Sequence, residues 1–226
     1  SNALLIGLAR TLKQAARCPL VCWLQDEHVW LDAMDAALRS AALRVMAARA
    51  DAVDRFVAVS ASYADRMAEW LALDRSRFRV VYPGLDPSFY RQADPTRQPP
   101  VIGFLSRLSA EEGFDRFVDA FLLLRRDSRF SDVRLAATGG PSADRRFLKR
   151  QRRKLAAVGA LADAEITPDR FAHDRVGFLA GLSVLSVPGG SAPEALGYYA
   201  LEAMAAGVPL VLPAHGAFPE LADLAR

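Results

Sequence analysis

The sequence predicts an α/β protein of two Rossmann-like, doubly wound parallel-sheet domains, the first incomplete. Three observations predict it: short apolar runs alternate with helical periods, a proline-rich stretch interrupts the alternation, and the alternation then restarts. Leu4 to Ala16 reads as a helix, and after Pro19 the run Leu20 to Leu24 suits a buried strand. An Ala-rich helix covers Met34 to Ala50, followed by a strand over Arg55 to Ser60 and a helix from Ala61 to Leu73. A third strand, Phe78 to Tyr82, ends at Pro83 and Gly84. Pro83, Pro87, Pro95, Pro99 and Pro100 then fall in one polar stretch, which marks a linker between domains.

Beyond the linker come strand Val101 to Leu105, helix Phe114 to Arg126 and strand Val133 to Ala137. A basic helix follows, then a short strand at Ala164 to Ile166 and a helix near Asp174 to Ala180. Strand Leu182 to Val187, helix Gly197 to Ala206 and strand Pro209 to Leu212 complete the pattern. The division is therefore 4–86, a linker over 87–100, and 101–226. Three strands leave a doubly wound sheet with an uncovered edge, so further residues are expected before Leu4 and after Arg226.

With 226 residues, 52% hydrophobic and 24% charged, the chain can bury a sizeable core. No apolar run approaches the ~18 residues that span a bilayer, and the cytoplasm is the simplest compartment. The opening Ser1-Asn2-Ala3 reads as a tag remnant. Cys18 and Cys22 lack the spacing of a zinc site and are expected as buried free thiols. His28, His173 and His215 have no partner four residues away, so no metal and no cofactor is indicated.

The formal charge is +3, with the cations concentrated between Asp144 and Leu155. Phe147, Leu148 and Leu155 recur there at helical spacing, which makes the Arg and Lys residues the wet face of an amphipathic helix. Without interleaved aromatics the run does not suit nucleic acid; peripheral contact with a membrane surface stays open.

The strand from Leu182 ends at Val187-Pro188, and a Gly/Ser/Pro loop leads past Glu194 to a helix opening at Gly197. In an open parallel sheet ligands bind beyond the carboxyl ends of the strands, and Glu194 falls at that edge. The first amides of the helix, at Gly197, Tyr198 and Tyr199, favour an anion such as a diphosphate. Glu202 lies one to two turns further in, where a carboxylate can accept both hydroxyls of a vicinal diol such as a ribose.

The segment Pro193 to Pro209, with Glu194 and Glu202 separated by seven residues, resembles the E-x7-E signature of glycosyltransferase family 4, the retaining group with the GT-B fold. His215 to Leu221 resembles the glycine-bearing loop that follows it. Asp54 to Ser60 with Arg79 to Asp86 is similar to the end of the family's acceptor-side domain, and Phe104 to Asp115 to the first donor-side strand and loop. The resemblance implies transfer of a sugar from a nucleotide diphosphate donor, a UDP-sugar before a GDP- or ADP-sugar, to an acceptor that the residues do not identify. It implies a hexosyltransferase-like enzyme that retains configuration and uses no metal. Under it Arg107 and Glu194 are the catalytic pair, Glu194 contacts the donor sugar, Glu202 the ribose, and the amides from Gly197 onward the diphosphate.

Arg107 matches the arginine of the family's G-R-L-x-x-E-K-G segment, which here reads Ser106 to Gly113 and carries Glu112 in place of the lysine. A carboxylate beside a diphosphate opposes binding by about 1 kcal/mol or more. Three explanations are open: Glu112 turns to solvent, another arginine substitutes, or activity is lost; altered but surviving chemistry is favoured. Thr138-Gly139-Gly140 either lines the nucleotide cleft or makes an ordinary turn. Ile166, between Glu165 and Thr167, falls where the family meets the base through backbone groups. Asp163-Ala164-Glu165 reads as solvated loop, and Gln25-Asp26-Glu27-His28 as either a sugar contact or an ordinary surface loop. A catalytically silent nucleotide-sugar-binding module and a sugar-nucleotide epimerase are the alternative functions.

Overall fold

The computed structural model describes residues 2–94, 96–140, 144–168, 174–189 and 194–225; Ser1, Pro95, His173 and Pro193, named above, lie outside them. In chain order a 3-10 turn at Ala3–Leu8 leads into α1 (Ala9–Ala16), β1 (Val21–Leu24), α2 (Glu27–Asp32), α3 (Ala36–Arg49), β2 (Arg55–Ala58), α4 (Ala61–Trp70) and β3 (Phe78–Val80). There follow β4 (Val101–Leu105), α5 (Phe114–Leu124), β5 (Arg134–Thr138), α6 (Arg145–Ala157), β6 (Ala164–Ile166), α7 (Arg175–Ala180), β7 (Val184–Ser186), α8 (Tyr198–Ala205), β8 (Leu210–Val211) and α9 (Phe218–Leu224). Two compact units result: Ser1–Gly84 with Glu194–Leu196 and Ala214–Arg226, and Leu85–Pro193 with Gly197–Pro213.

The first unit holds a parallel sheet in the order β1-β2-β3. Its strands alternate rather than bury throughout: in β1 Cys22 and Leu24 are buried while Val21 is exposed. That alternation is what a sheet with one packed face produces. Phe56 of β2 stacks on Phe78 of β3 with ring centroids 5.0 Å apart, and Tyr63, Ala64 and Met67 of α4 are buried. The Ser60 hydroxyl accepts from the Tyr63 amide at 3.0 Å and so caps α4.

The first unit corrects several expectations. The helix foreseen over Leu4 to Ala16 opens as a 3-10 turn whose first amides are capped by Asn2, and the true α-helix begins at Ala9. Only one cysteine is buried: Arg17 leaves α1 in the left-handed region, the chain turns along the surface, and Cys18 is exposed. Gln25 to His28 is no ordinary surface loop, because α2 starts at Glu27 and buries Glu27 and His28. The end of the chain holds α9, where the sequence reading had a loop with no helix after it.

Glu27 has neutral donors on both oxygens: Asn2 Nδ2 donates to Oε1 at 2.9 Å and the Tyr63 hydroxyl to Oε2 at 2.8 Å. Tyr63 also accepts the His28 amide at 3.2 Å, and its ring meets the His28 ring edge-on at 5.5 Å. Burial pushes the Glu27 carboxyl up and the His28 imidazole down.

In the second unit the sheet order is β6-β5-β4-β7-β8, parallel throughout. Chain order runs outward from β4 in both directions, so the switch point lies between β4 and β7, where carboxyl-end loops diverge and open a crevice. Phe104 of β4 packs on Phe114 and Phe117 of α5 with centroids 5.1 and 5.3 Å apart. In α6 Phe147, Gln151 and Leu155 face inward, so a glutamine completes the stripe on which the sequence reading had placed Leu148. Asp163 pairs with Arg125, and Ala164 and Glu165 begin β6 rather than extending a solvated loop.

Glu27 has the sign opposite to most carboxylates. Its folded value lies above its unfolded one, so the folded state holds the extra proton between the two and stability falls as pH rises through that window. Urea unfolding from about pH 4 to about pH 8 is expected to show Glu27→Gln gaining on the parent chain as pH climbs; a pH-independent difference would refute the assignment.

Candidate functional site

The loop after β4 is shaped by close backbone approaches. Ser109 to Gly113 forms a tight turn, with the Gly113 amide bonded to the Ala110 carbonyl at 3.0 Å and the Phe114 amide to Ser109 at 3.1 Å. Gly113 caps α5 at φ +76, and a Cβ there would stand 3.1 Å from the Gly189 carbonyl oxygen, so glycine serves both the angle and the contact. Arg116 donates to that same Gly189 carbonyl at 2.5 Å and ties α5 to the loop after β7. On the other side, a Cβ on Gly139 would lie 1.7 Å from the Ser106 carbonyl oxygen. Gly139 therefore lets the backbone after β5 lie directly against Ser106 and Arg107.

Arg107 and Glu112 come together on this loop. The guanidinium donates to Glu112 Oε1 from Nη2 at 2.7 Å and from Nε at 3.2 Å. Glu112 does not turn to solvent: its side chain is 14% exposed against 60% for Arg107. The carboxylate in the lysine position thus neutralises the arginine expected to receive a diphosphate. Among the described residues Arg107 has no other ion pair.

Gly197 begins α8 in the left-handed region at φ +75 and carries no capping side chain. Tyr198 is exposed, whereas Tyr199 is buried. Glu202, one turn on, is 2% exposed. The Tyr90 hydroxyl donates to its Oε1 at 2.9 Å, and the Arg175 guanidinium forms an ion pair at Oε2. Burial pushes the Glu202 carboxyl up, against the pull of Arg175 and Tyr90. Burial, and then the Glu202 carboxylate, push the Tyr90 phenol up to about 12. Tyr90 is held there by the linker itself: Gln92 donates to the Ala205 carbonyl at 2.9 Å and the Ala93 amide to Ala206 at 2.8 Å.

Ile166 closes β6 buried, and its carbonyl accepts from Arg152 at 3.0 Å. Thr138, before Gly139, donates its hydroxyl to the Thr167 carbonyl at 2.7 Å. Glu194 belongs to the first unit. Its carbonyl accepts the Ala217 amide at 3.3 Å, and the next carbonyl, of Ala195, accepts the Ser60 hydroxyl at 2.5 Å. In that unit Glu220 accepts from the Ala61 and Ser62 amides at 2.9 and 3.3 Å and from the Tyr82 hydroxyl at 3.1 Å. Sequence reasoning missed Tyr90, Arg175 and Glu220. A linker tyrosine, the first residue of a short helix and an acid in a glycine-bearing loop carry no local spacing that points to their partners.

Residues 99–224 match the family model described as glycosyl transferases group 1. The chain belongs to this family. Among curated group 1 relatives, the D-inositol 3-phosphate glycosyltransferase of Acidothermus cellulolyticus is 34% identical over 71% of this chain and 38% of that protein. The protein of the same description from Mycobacterium sp. (strain JLS) is 27% identical over 75% and 39%. The chain thus spans about two fifths of the length of the curated relatives it matches. The crystal structure of Anabaena HepE in complex with UDP aligns over 96% of this chain and 59% of its own, at a TM-score of 0.78 and 21% identity. That likeness carries the GT-B fold, with two Rossmann-like parallel sheets as the alternation predicts.

Gly139→Ala is expected to lower stability by about 2–3 kcal/mol, because the new methyl overlaps backbone rather than a flexible side chain. Glu112→Gln, which breaks a mostly exposed pair, is expected to cost less than about 1 kcal/mol. Paired urea titrations check both, and equal effects would mean the backbone contact at Gly139 is not tight.

Proposed function

We propose that the chain supplies the nucleotide-sugar side of a family 4 glycosyltransferase that moves a sugar from a nucleotide diphosphate donor to an acceptor, with retained anomeric configuration and without a metal. The observation that carries the reading is α8: a helix that opens at Gly197 beyond the strand next to the switch point, with Glu202 in its second turn. In this reading residues 4–86 form the acceptor side, 87–100 the linker and 101–226 the donor side. The HepE structures, in complex with UDP and with UDP-glucose, favour a UDP-sugar as donor. A nucleotide sugar as substrate goes with work in the cytoplasm.

As the bond from the sugar C1 to the diphosphate oxygen breaks and the acceptor oxygen takes its place, negative charge gathers on the diphosphate. The amides of Gly197, Tyr198 and Tyr199 and the Arg107 guanidinium meet that charge. Glu194 contacts the sugar, and the backbone around Gly139 and Ile166 borders the base. Glu202 takes the ribose: an ionised carboxylate has about four acceptor positions, and Tyr90 and Arg175 engage one oxygen each.

The Arg107–Glu112 pair favours a second reading, a module that binds the donor without transferring sugar. The two readings share the binding site and separate on turnover.

Calorimetric titration with UDP, GDP and ADP tests the reading. UDP is expected to bind best, and Glu202→Ala to weaken it by about 10- to 100-fold through lost hydrogen bonds to a charged group. No binding to any of the three nucleotides would sink both readings. Glu112→Lys is expected to tighten UDP by about tenfold, and unchanged affinity would remove the basis of the silent-module reading.

A further inference from the structure

Helix α6 carries Arg145, Arg146, Lys149, Arg150, Arg152, Arg153 and Lys154, and its inward stripe of Phe147, Gln151 and Leu155 fixes which way they point. Three of the cations are engaged. Arg150 lies 3.6 Å from Asp144, Lys154 pairs with Asp119, and Arg152 donates to the Ile166 carbonyl at 3.0 Å. Arg145, Arg146, Lys149 and Arg153 have no acidic partner among the described residues and are all exposed. At 3.6 residues per turn these four share an arc of about 100° and a length of about 12 Å. The helix itself has no acid, and the acids bordering it, Asp144 and Asp119, sit on the flank with Arg150 and Lys154.

Apolar side chains stand exposed where this helix ends. Val158, its C-cap, is 65% exposed and Leu161, three residues on, 41%. The Arg125–Asp163 ion pair ties the end of α5, where Leu123 is 64% exposed, to the turn that holds Leu161. A free-standing soluble surface has no need to place a row of unneutralised cations beside exposed aliphatic groups. The combination fits one chemistry: phosphate headgroups for the cations and the upper acyl region for the aliphatics. Single-stranded nucleic acid would call for stacking rings, and the one aromatic residue of α6, Phe147, is buried.

We infer that the α6 face docks the second unit on an anionic phospholipid surface, with Arg145, Arg146, Lys149 and Arg153 on the headgroup phosphates and Val158 and Leu161 at the acyl boundary. This contact is independent of the donor site, since none of its residues is placed in nucleotide binding. It brings the enzyme to a lipid surface rather than to a particular lipid.

Sedimentation with vesicles tests it, comparing pure phosphatidylcholine with mixtures containing phosphatidylglycerol at low and high salt. The chain is expected to pellet with the phosphatidylglycerol vesicles alone and to be released by salt. The triple variant Arg146→Glu, Lys149→Glu, Arg153→Glu is expected to lose at least about a hundred-fold in affinity with its unfolding midpoint retained. The uncharged pair Val158→Ser, Leu161→Ser is expected to lose several-fold on vesicles and nothing on a single-stranded RNA probe. Equal sedimentation with both vesicle types, or full binding by the triple variant, would overturn the inference. A serine pair indistinguishable from the parent on vesicles would also overturn it, leaving a simple polyanion face.

Discussion

The loop between β4 and α5 is held by glycine on both sides, and the donor-side geometry depends on that squeeze. Gly139 brings the chain leaving β5 against the Ser106 carbonyl, and Gly113 brings the start of α5 against Gly189 beyond β7. Three loops from neighbouring strands are thereby drawn together at the carboxyl edge of one sheet, next to the reversal of strand order. A single methyl on Gly139 would separate two of them. Position rather than chemistry is what these glycines contribute, and Arg107 owes its place to them.

Charge is distributed in that unit by neutralisation. Arg107 faces Glu112, and Glu202 faces Arg175 with Tyr90 alongside. The first pair is largely exposed and holds weakly; the second has its carboxylate buried, so loss of Arg175 would leave a charge that the surroundings do not solvate. An incoming nucleotide therefore exchanges one set of ionic partners for another. Affinity reports the difference between the two sets, which explains why a glutamate in the lysine position is compatible with a working pocket.

Much of this was legible in the sequence. The strand and helix alternation gave both parallel sheets, since apolar runs bounded by Gly and Pro are local signals, and the helix at Gly197 was placed to within a residue. Short elements escaped: α2 and α9 span six and seven residues, too few for a period to declare itself. Residues recognised by partners far along the chain escaped as well. Tyr90 meets Glu202 across 112 positions and Glu220 meets Ala61 across 159, and nothing in the spacing of either region announces the other. Cys18 and Cys22 differ in burial because Arg17 turns the chain outward, a backbone event that composition does not encode.

Glu220 occupies the amino end of α4, where its carboxylate receives two amides and the Tyr82 hydroxyl. An exposed helix start of that kind would attract any phosphate in solution. Here the vacancy is filled from within the chain. A nucleotide probing the first unit meets a seated acid that repels it, and the protein avoids a decoy harbour for the very group it is built to hold elsewhere.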